Sequence, residues 1–458
     1  MKIGKTYWAT VVVALIASVG VLCTKPASFP EADYDPRLAG GMATVFDLSS
    51  QSFSHPIPGL SAWDSHVHEK GDQIFEQSFV AAPAPLFSGL GPLFNNVSCI
   101  SCHHNDGKGT PSFGEINSSM LMRVSIPGKD AHGGPVPVPG LGLQIQDRSI
   151  LGFRPEASIS VNYQDSLVRY PDGSTVLLHV PRYAITQPYV ALPADLLCSP
   201  RMAPPVFGMG LLERVPAEEI LAHADPDDVD HDGIKGHPNY VYDPVSGAQV
   251  IGRFGLKANV GHLLTQVASA FQQDMGITNS VFPQENSTLQ GDGLHDDPEL
   301  RDSLLNAVKF YVETLAVPAR RNVTDAQVKA GEQYFQQIGC AKCHLPTLYT
   351  AVDVRFPALS NQRIHPYTDL LLHDMGPALA DGRPDYQASG QEWRTAPLWG
   401  IGLFPKTNGT PYYLHDGRAR SLEEAILWHG GEAATSKNRF LQLSSAQRQA
   451  VISFLQSL

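Results

Sequence analysis

Cysteine is scarce in this 458-residue chain, with six in all. That excludes a disulfide-stapled scaffold, which is short and far richer in cysteine. Basic residues are also few: 33 Lys and Arg stand against 45 Asp and Glu, for a net charge of −12. The balance argues against nucleic acid as a partner and suits either solubility or a basic protein partner. Long apolar runs are nearly absent. The only one follows Lys2 and Lys5 and covers residues 6–24, with its apolar centre at 11–19. No other stretch is long enough to span a bilayer. Residues 1–25 therefore read as a signal peptide or a retained N-terminal membrane anchor. No small-x-small cleavage site follows, and Leu22 before Cys23 is too large for a lipobox. The remainder is expected to be periplasmic or otherwise exported. Glycine and proline are plentiful, 40 and 36, so loops and turns should be many.

Four of the six cysteines fall in two copies of one pentapeptide, Cys99-Ile-Ser-Cys102-His103 and Cys340-Ala-Lys-Cys343-His344. Composition alone would give this pattern on the order of 0.003 times per chain. It is the attachment signature of c-type haem: two thiols bond to the porphyrin vinyl groups, and the adjacent histidine takes the iron. A zinc site would need a second pair of soft ligands near each motif. The other cysteines, Cys23 and Cys198, are isolated. Two covalently bound haem c groups are expected, with His103 and His344 as proximal ligands. Cys198 is expected to be a buried lone thiol.

The motifs lie far apart but share context. Phe94 and Phe335 each stand five residues before the first cysteine, with Gly91 and Gly331 slightly earlier. This suggests a divergent repeat of one helix leading into each motif. Thr324-Asp-Ala-Gln327 predicts a capping box for the second such helix, and Ser444-Ser-Ala-Gln447 one for the last helix. A helix over about 298–315 should lead into the second unit, and a short one should cover 217–224. Residues 119–250 alternate or run β-branched between Pro and Gly, which predicts short strands and loops. The expected fold is mainly α. A first cytochrome c-like haem domain is placed at 35–317, with the strand and loop region inserted at about 119–250. A second cytochrome c-like domain is placed at 318–458.

What fills the second axial position of each iron decides function, since a protein ligand makes a carrier and an open site makes a catalyst. Ser421-Leu-Glu-Glu424 predicts a capped helix on which Leu422, Ala425, Ile426 and His429 share one face. His429 is thus the candidate distal ligand of the second haem; the alternative is a satisfied core histidine. For the first haem, His66, His68, His132, Met122, Met202 and Met209 are all chemically able, and no pattern singles one out. His104 cannot reach the opposite face. An open or loosely held position is the expectation. Glu213 stands in an apolar run, where burial would raise its pKa into a useful range for proton transfer. A salt bridge with Arg214 is the structural alternative. Asp228, Asp230 and Asp232 followed by Gly233 match the first half of a calcium loop, although position 12 is Asn239 instead of Glu. A solvated acidic turn is the alternative. Trp393, Trp399 and Trp428 fall near the second motif, and core packing is their default role.

Several longer stretches carry a resemblance. They include Gly91-Pro-Leu-Phe-Asn95, Ala203-Pro-Pro-Val-Phe-Gly-Met-Gly-Leu-Leu-Glu213, Gly252-Arg-Phe-Gly255, Asp274-Met-Gly-Ile-Thr278 and Leu414-His-Asp-Gly-Arg-Ala-Arg-Ser-Leu-Glu-Glu-Ala425. Through them the chain resembles the bacterial di-haem oxidoreductase and peroxidase family, also called thiol oxidoreductases, from about Asp35 to Leu458. That family is related to the di-haem cytochrome c peroxidases. The resemblance implies that peroxide meets the N-terminal haem with a Glu as acid/base, and that the position of His429 supplies the second ligand of the C-terminal haem. Relatives often have Trp where this chain has Leu256, so any charge route through that position must differ here. The expected activity is reduction of hydrogen peroxide, or oxidation of an external substrate, at the His103 haem. Electrons would pass through the His344/His429 haem from a donor such as a small cytochrome c or a cupredoxin. The rivals are a non-catalytic di-haem electron-transfer cytochrome and a thiol oxidoreductase. The last finds no paired reactive cysteines outside the motifs.

Overall fold

Two helix crossings carry the architecture, and each is set by a glycine. The computed structural model describes residue 1 and residues 34–458, apart from 116–117, 288 and 410. The expected signal or anchor segment lies outside the described residues except for Met1. Helix α1 (Ala62–Glu76) starts where the Ser61 side chain accepts from the Asp64 backbone, and it buries His68, Gly71, Ile74 and Phe75. Two short helices, α2 (Met209–Glu213) and α3 (Ala217–Leu221), and the longer α4 (Leu263–Met275) follow. Helix α5 (Asp302–Glu313) then crosses α1. A Cβ on Gly71 would lie 2.2 Å from the Ala307 carbonyl oxygen and 2.6 Å from the Tyr311 Cβ. The backbones therefore touch, and only glycine fits.

The same device recurs. Helix α6 (Ala326–Gln337) leads into the second motif, and the short α7 (Phe404–Thr407), α8 (Leu422–Trp428) and α9 (Ala434–Gln442) precede α10 (Ser445–Ser457). Helix α6 crosses α10, and a Cβ on Gly331 would meet the Ala450 carbonyl oxygen at 1.9 Å and the Phe454 Cβ at 2.8 Å. Phe75 stands 6.1 Å from the His103 ring and Phe335 stands 6.3 Å from the His344 ring, centroid to centroid. The repeat expected from Gly91 and Phe94 is thus carried by Gly71 and Phe75. Phe94 sits in a two-residue strand paired with Arg148–Ser149. Pro83, Pro85 and Pro92 intervene, and proline cannot continue a helix up to Cys99.

Capping follows the sequence with small shifts. Asp325, not Thr324, caps α6 by accepting from Gln327 and Val328. Ser421 caps α8, but Glu424 turns back to the Arg420 guanidinium at 2.7 Å, leaving the box half formed. The complete box forms at Ser444 and Gln447 on α10.

The expectation of a mainly α fold is corrected: among the described residues 26% are helical and 19% are in strands. Strands of Gln144–Ile145, Met120–Ser125 and Leu197–Met202 form a three-stranded antiparallel sheet. Ser158–Arg169 and Thr175–Thr186 pair over their full length as a long hairpin. Further two- and three-residue pairs lie outside 119–250, such as Leu372–Asp374 with Glu392–Arg394. Pro and Gly break the chain into pieces too short for helices, and strand pairs satisfy their backbone instead. The hairpin tip reaches the second crossing. Tyr170 is buried and donates to Glu423 at 2.7 Å, and Asp172 pairs with Arg448 at 2.7 Å. Pro36–Leu458 is one compact unit with its main core around the helix pairs. Among the described residues, no helix is long and apolar enough to cross a membrane.

Candidate functional site

One cavity of about 690 Å³ is lined by both pentapeptides: by Cys99, Cys102 and His103, and by Cys340, Cys343, His344 and also His429. The three histidines share one arrangement. Nδ1 of His103 donates to the Pro204 carbonyl at 2.7 Å, that of His344 to Tyr367 at 3.0 Å, and that of His429 to Ala425 at 2.7 Å. A carbonyl can only accept, so each Nδ1 carries the proton and each Nε2 keeps its lone pair. Iron-ligating histidines are held in this way. Burial pushes His103 and His344 down to about 4 and lowers His429, so all three are neutral at pH 7. His429 lies at the C-cap of α8 and is close enough to His344 to depress it further. Burial pushes the Cys102 and Cys340 thiols up to about 12, as expected of a site with few polar groups to stabilise thiolate. Paired thiols beside a neutral imidazole in an apolar cavity fit a haem c at each motif.

The six distal candidates of the first motif divide cleanly. His132, Met202 and Met209 line the cavity. His66 is exposed, His68 is turned to Thr314 Oγ1 at 2.8 Å, and Met122 is packed in the sheet core. Helix α4 brings Gln266, Gln273 and Asp274 to the cavity wall. Burial raises the Asp274 carboxyl; it accepts from Gln144 Nε2 at 2.9 Å, and its charge raises both Cys99 and Cys102.

Glu213 is placed elsewhere. Its Oε1 accepts from the Leu263 backbone at 2.8 Å and its Oε2 lies 3.9 Å from Lys309 Nζ, and it is not part of the cavity wall. The first N–H groups of α4 lack helical partners, and this carboxylate supplies one. Arg214 pairs with Glu313 and Asp353 instead of Glu213. Asp274 was legible only as part of a family-like stretch, although a carboxylate among Ala268, Phe271 and Met275 on an amphipathic helix was itself a signal.

Around the second motif, His373 is buried between Asp369 at 2.8 Å and Glu432 at 2.7 Å, with Cys343 Sγ at 3.6 Å. Burial alone would lower its pKa, but hydrogen bonds to Asp369, Cys343 and Glu432 lift it well above the usual value. Trp393 is stacked between His415, with centroids 3.9 Å apart, and the Lys257 ammonium at 4.5 Å. Leu256 precedes that lysine and accepts from the Arg394 backbone at 3.0 Å. Arg201 and Arg383 both bind Asp385 Oδ2, at 2.9 and 3.2 Å, and all three line the cavity. Two guanidinium groups on one carboxylate leave a cationic surplus, and the buried Arg383 Nε has no partner.

The acidic loop differs from its expected ligand set. Asp225, Asp228 and Asp230 place one carboxylate oxygen each within 4.8 Å of one another. Asp232 is drawn away to Lys342, which lies within the second motif.

A match to hydrazine synthase of Kuenenia stuttgartiensis covers 43% of this chain and 62% of that protein's chain, less than two thirds, at 20% identity and a TM-score of 0.25. A MauG-like protein associated with microbial copper homeostasis matches 55% of this chain and 89% of its own at 14% identity and a TM-score of 0.27. At these scores neither likeness bears on the fold or the site. No protein of curated function matches the sequence. Residues 34–458 match the family described as "Di-haem oxidoreductase, putative peroxidase". The match covers nearly the whole chain, and the protein belongs to the di-haem oxidoreductase family.

Proposed function

We propose that the protein is an exported di-haem c-type oxidoreductase that reduces hydrogen peroxide, or a similar small oxidant, at the His103 centre. The observation that carries this reading is the single cavity lined by two complete attachment motifs, with three neutral histidines each offering Nε2. Cys99 and Cys102, and Cys340 and Cys343, would form the thioether links. When bound, haem c supplies iron that takes electrons from a donor and gives them to peroxide.

The protein's own groups divide the labour. His344 and His429 would hold the second iron from both sides and close it to substrate. His103 would hold the first iron from one side only, since no strong ligand is singled out opposite it. Arg201 and Arg383 would receive haem carboxylates with their surplus charge. Asp274 replaces Glu213 as the group proposed to hold and deliver the proton that O–O cleavage needs. Burial keeps that carboxyl protonated to higher pH than an exposed aspartate. The apolar walls exclude bulk water and strengthen these interactions. The donor would be a separate protein, such as a small cytochrome c or cupredoxin, and a calcium ion is proposed at Asp225, Asp228 and Asp230.

Stopped-flow mixing with hydrogen peroxide, in the resting and half-reduced states, tests the reading. Rapid change at one haem is expected. If neither state reacts beyond slow bleaching, the protein is an electron carrier.

A further inference from the structure

The two helix crossings are alike in backbone but not in chemistry. In the second, the ring packed over Gly331 is Phe454, and Phe335 lies between it and His344, with centroids 5.1 and 6.3 Å away. In the first, the ring over Gly71 is Tyr311, and Phe75 lies between it and His103, at 5.3 and 6.1 Å. Packing requires only a ring at this place. The first crossing adds a hydroxyl and surrounds it with acids. Tyr311 is 1% exposed, and its hydroxyl donates to Asp106 Oδ1 at 2.9 Å. Burial first, then the charges of Asp106 and of Asp72 on α1, raise the pKa of this phenol. Asp106 is itself buried and accepts from Ser54 Oγ at 2.6 Å. Burying a phenol and a carboxylate carries a desolvation cost that phenylalanine would spare. The Asp106 oxygen that accepts from the phenol is the group to which the phenolic proton can move.

We infer that Tyr311 is a proton-coupled redox residue serving the first haem. The inference rests on the peroxidase reading. Reducing hydrogen peroxide to two waters takes two electrons and two protons. When the external donor is slow, one of those electrons comes from Tyr311. Its O–H bond breaks, the electron passes by way of Phe75 and His103 to the haem, and the proton moves along its hydrogen bond to Asp106 Oδ1. The residue left is a neutral phenoxyl radical, which a later electron and the returned proton restore. His68, with its ring 4.8 Å from Tyr311, completes the enclosure. In the second crossing Phe454 has no hydroxyl, and the phenol that packs on it, Tyr367, donates to Glu332, a carboxylate already paired with Arg320 at 2.8 Å.

Freeze-quench electron paramagnetic resonance of the holoprotein after peroxide, without donor, tests this. Wild type should give an organic radical whose hyperfine pattern changes when the protein carries ring-deuterated tyrosine. Tyr311→Phe should lose that signal while both haems stay bound and the haem absorbance still responds to peroxide. A tyrosyl signal undiminished in Tyr311→Phe, or a haem response with no tyrosyl radical in wild type, overturns the inference and leaves the peroxidase reading standing. No haem response in wild type overturns both. Isotope labelling reads the wild-type protein directly, so the test survives a variant that folds poorly.

Discussion

Glu213 and Asp274 should separate stability from turnover. Glu213→Ala removes the carboxylate that accepts from Leu263 at the start of α4, a loss of about 1 kcal/mol. Lys309 keeps its closer partner Glu313 at 2.7 Å, so the 3.9 Å pair with Glu213 adds no more than about 1 kcal/mol. The sum is about 1–2 kcal/mol, which is a fall of a few degrees in Tm for a chain of this size. Peroxide turnover should not change. Asp274→Asn keeps the shape and still lets Oδ1 accept from Gln144, so folding should be little affected. Turnover should fall by roughly 10²-fold or more, because the amide cannot donate the proton as an acid does. Urea titrations and stopped-flow peroxide kinetics on the two purified variants give both quantities. Normal turnover in Asp274→Asn, or lost turnover in Glu213→Ala at unchanged haem content, refutes the assignment.

His429→Ala should convert one low-spin haem to high spin and leave the other unchanged, as read by absorption and electron paramagnetic resonance. Calcium should persist through dialysis and be lost from an Asp228→Ala, Asp230→Ala variant; equal calcium in both proteins removes the proposed ion. Glu156 gives a pH effect with a defined sign. Its side chain is fully buried, accepts from the Gln146 backbone, and is pushed up to about 8 by burial. The raised folded value means that its contribution is full below the unfolded value of about 4.5 and is lost as pH rises through about 8. Urea unfolding at about pH 5 and about pH 8 should show a smaller drop in Glu156→Gln than in wild type, with each tenfold difference in proton affinity between the folded and unfolded chain worth about 1.4 kcal/mol.

The two pentapeptides were legible because each is five residues in strict sequence, and the di-haem family match agrees with them. The helices at Ser421 and Ser444 were legible for the same local reason: a cap and an apolar stripe. Helix α1 was not matched to its partner, because Gly71 and Phe75 stand far from Cys99 and nothing local links them. The strand content was underread, since two- and three-residue pairs such as Leu348–Tyr349 with Arg363–Ile364 leave no periodicity. Glu213 looked catalytic because an acid in an apolar run is conspicuous, while its real partner, the start of α4, lies 50 residues away. Asp106, Asp274 and His373 have the same difficulty: each gains its meaning from groups brought together by tertiary packing.

The central claim is one open and one closed haem sharing a cavity. Low-temperature electron paramagnetic resonance of the resting ferric protein tests it most directly. The account predicts one high-spin signal from the His103 centre and one low-spin signal of bis-histidine type from the His344 and His429 centre. Two low-spin signals and no high-spin component would contradict it.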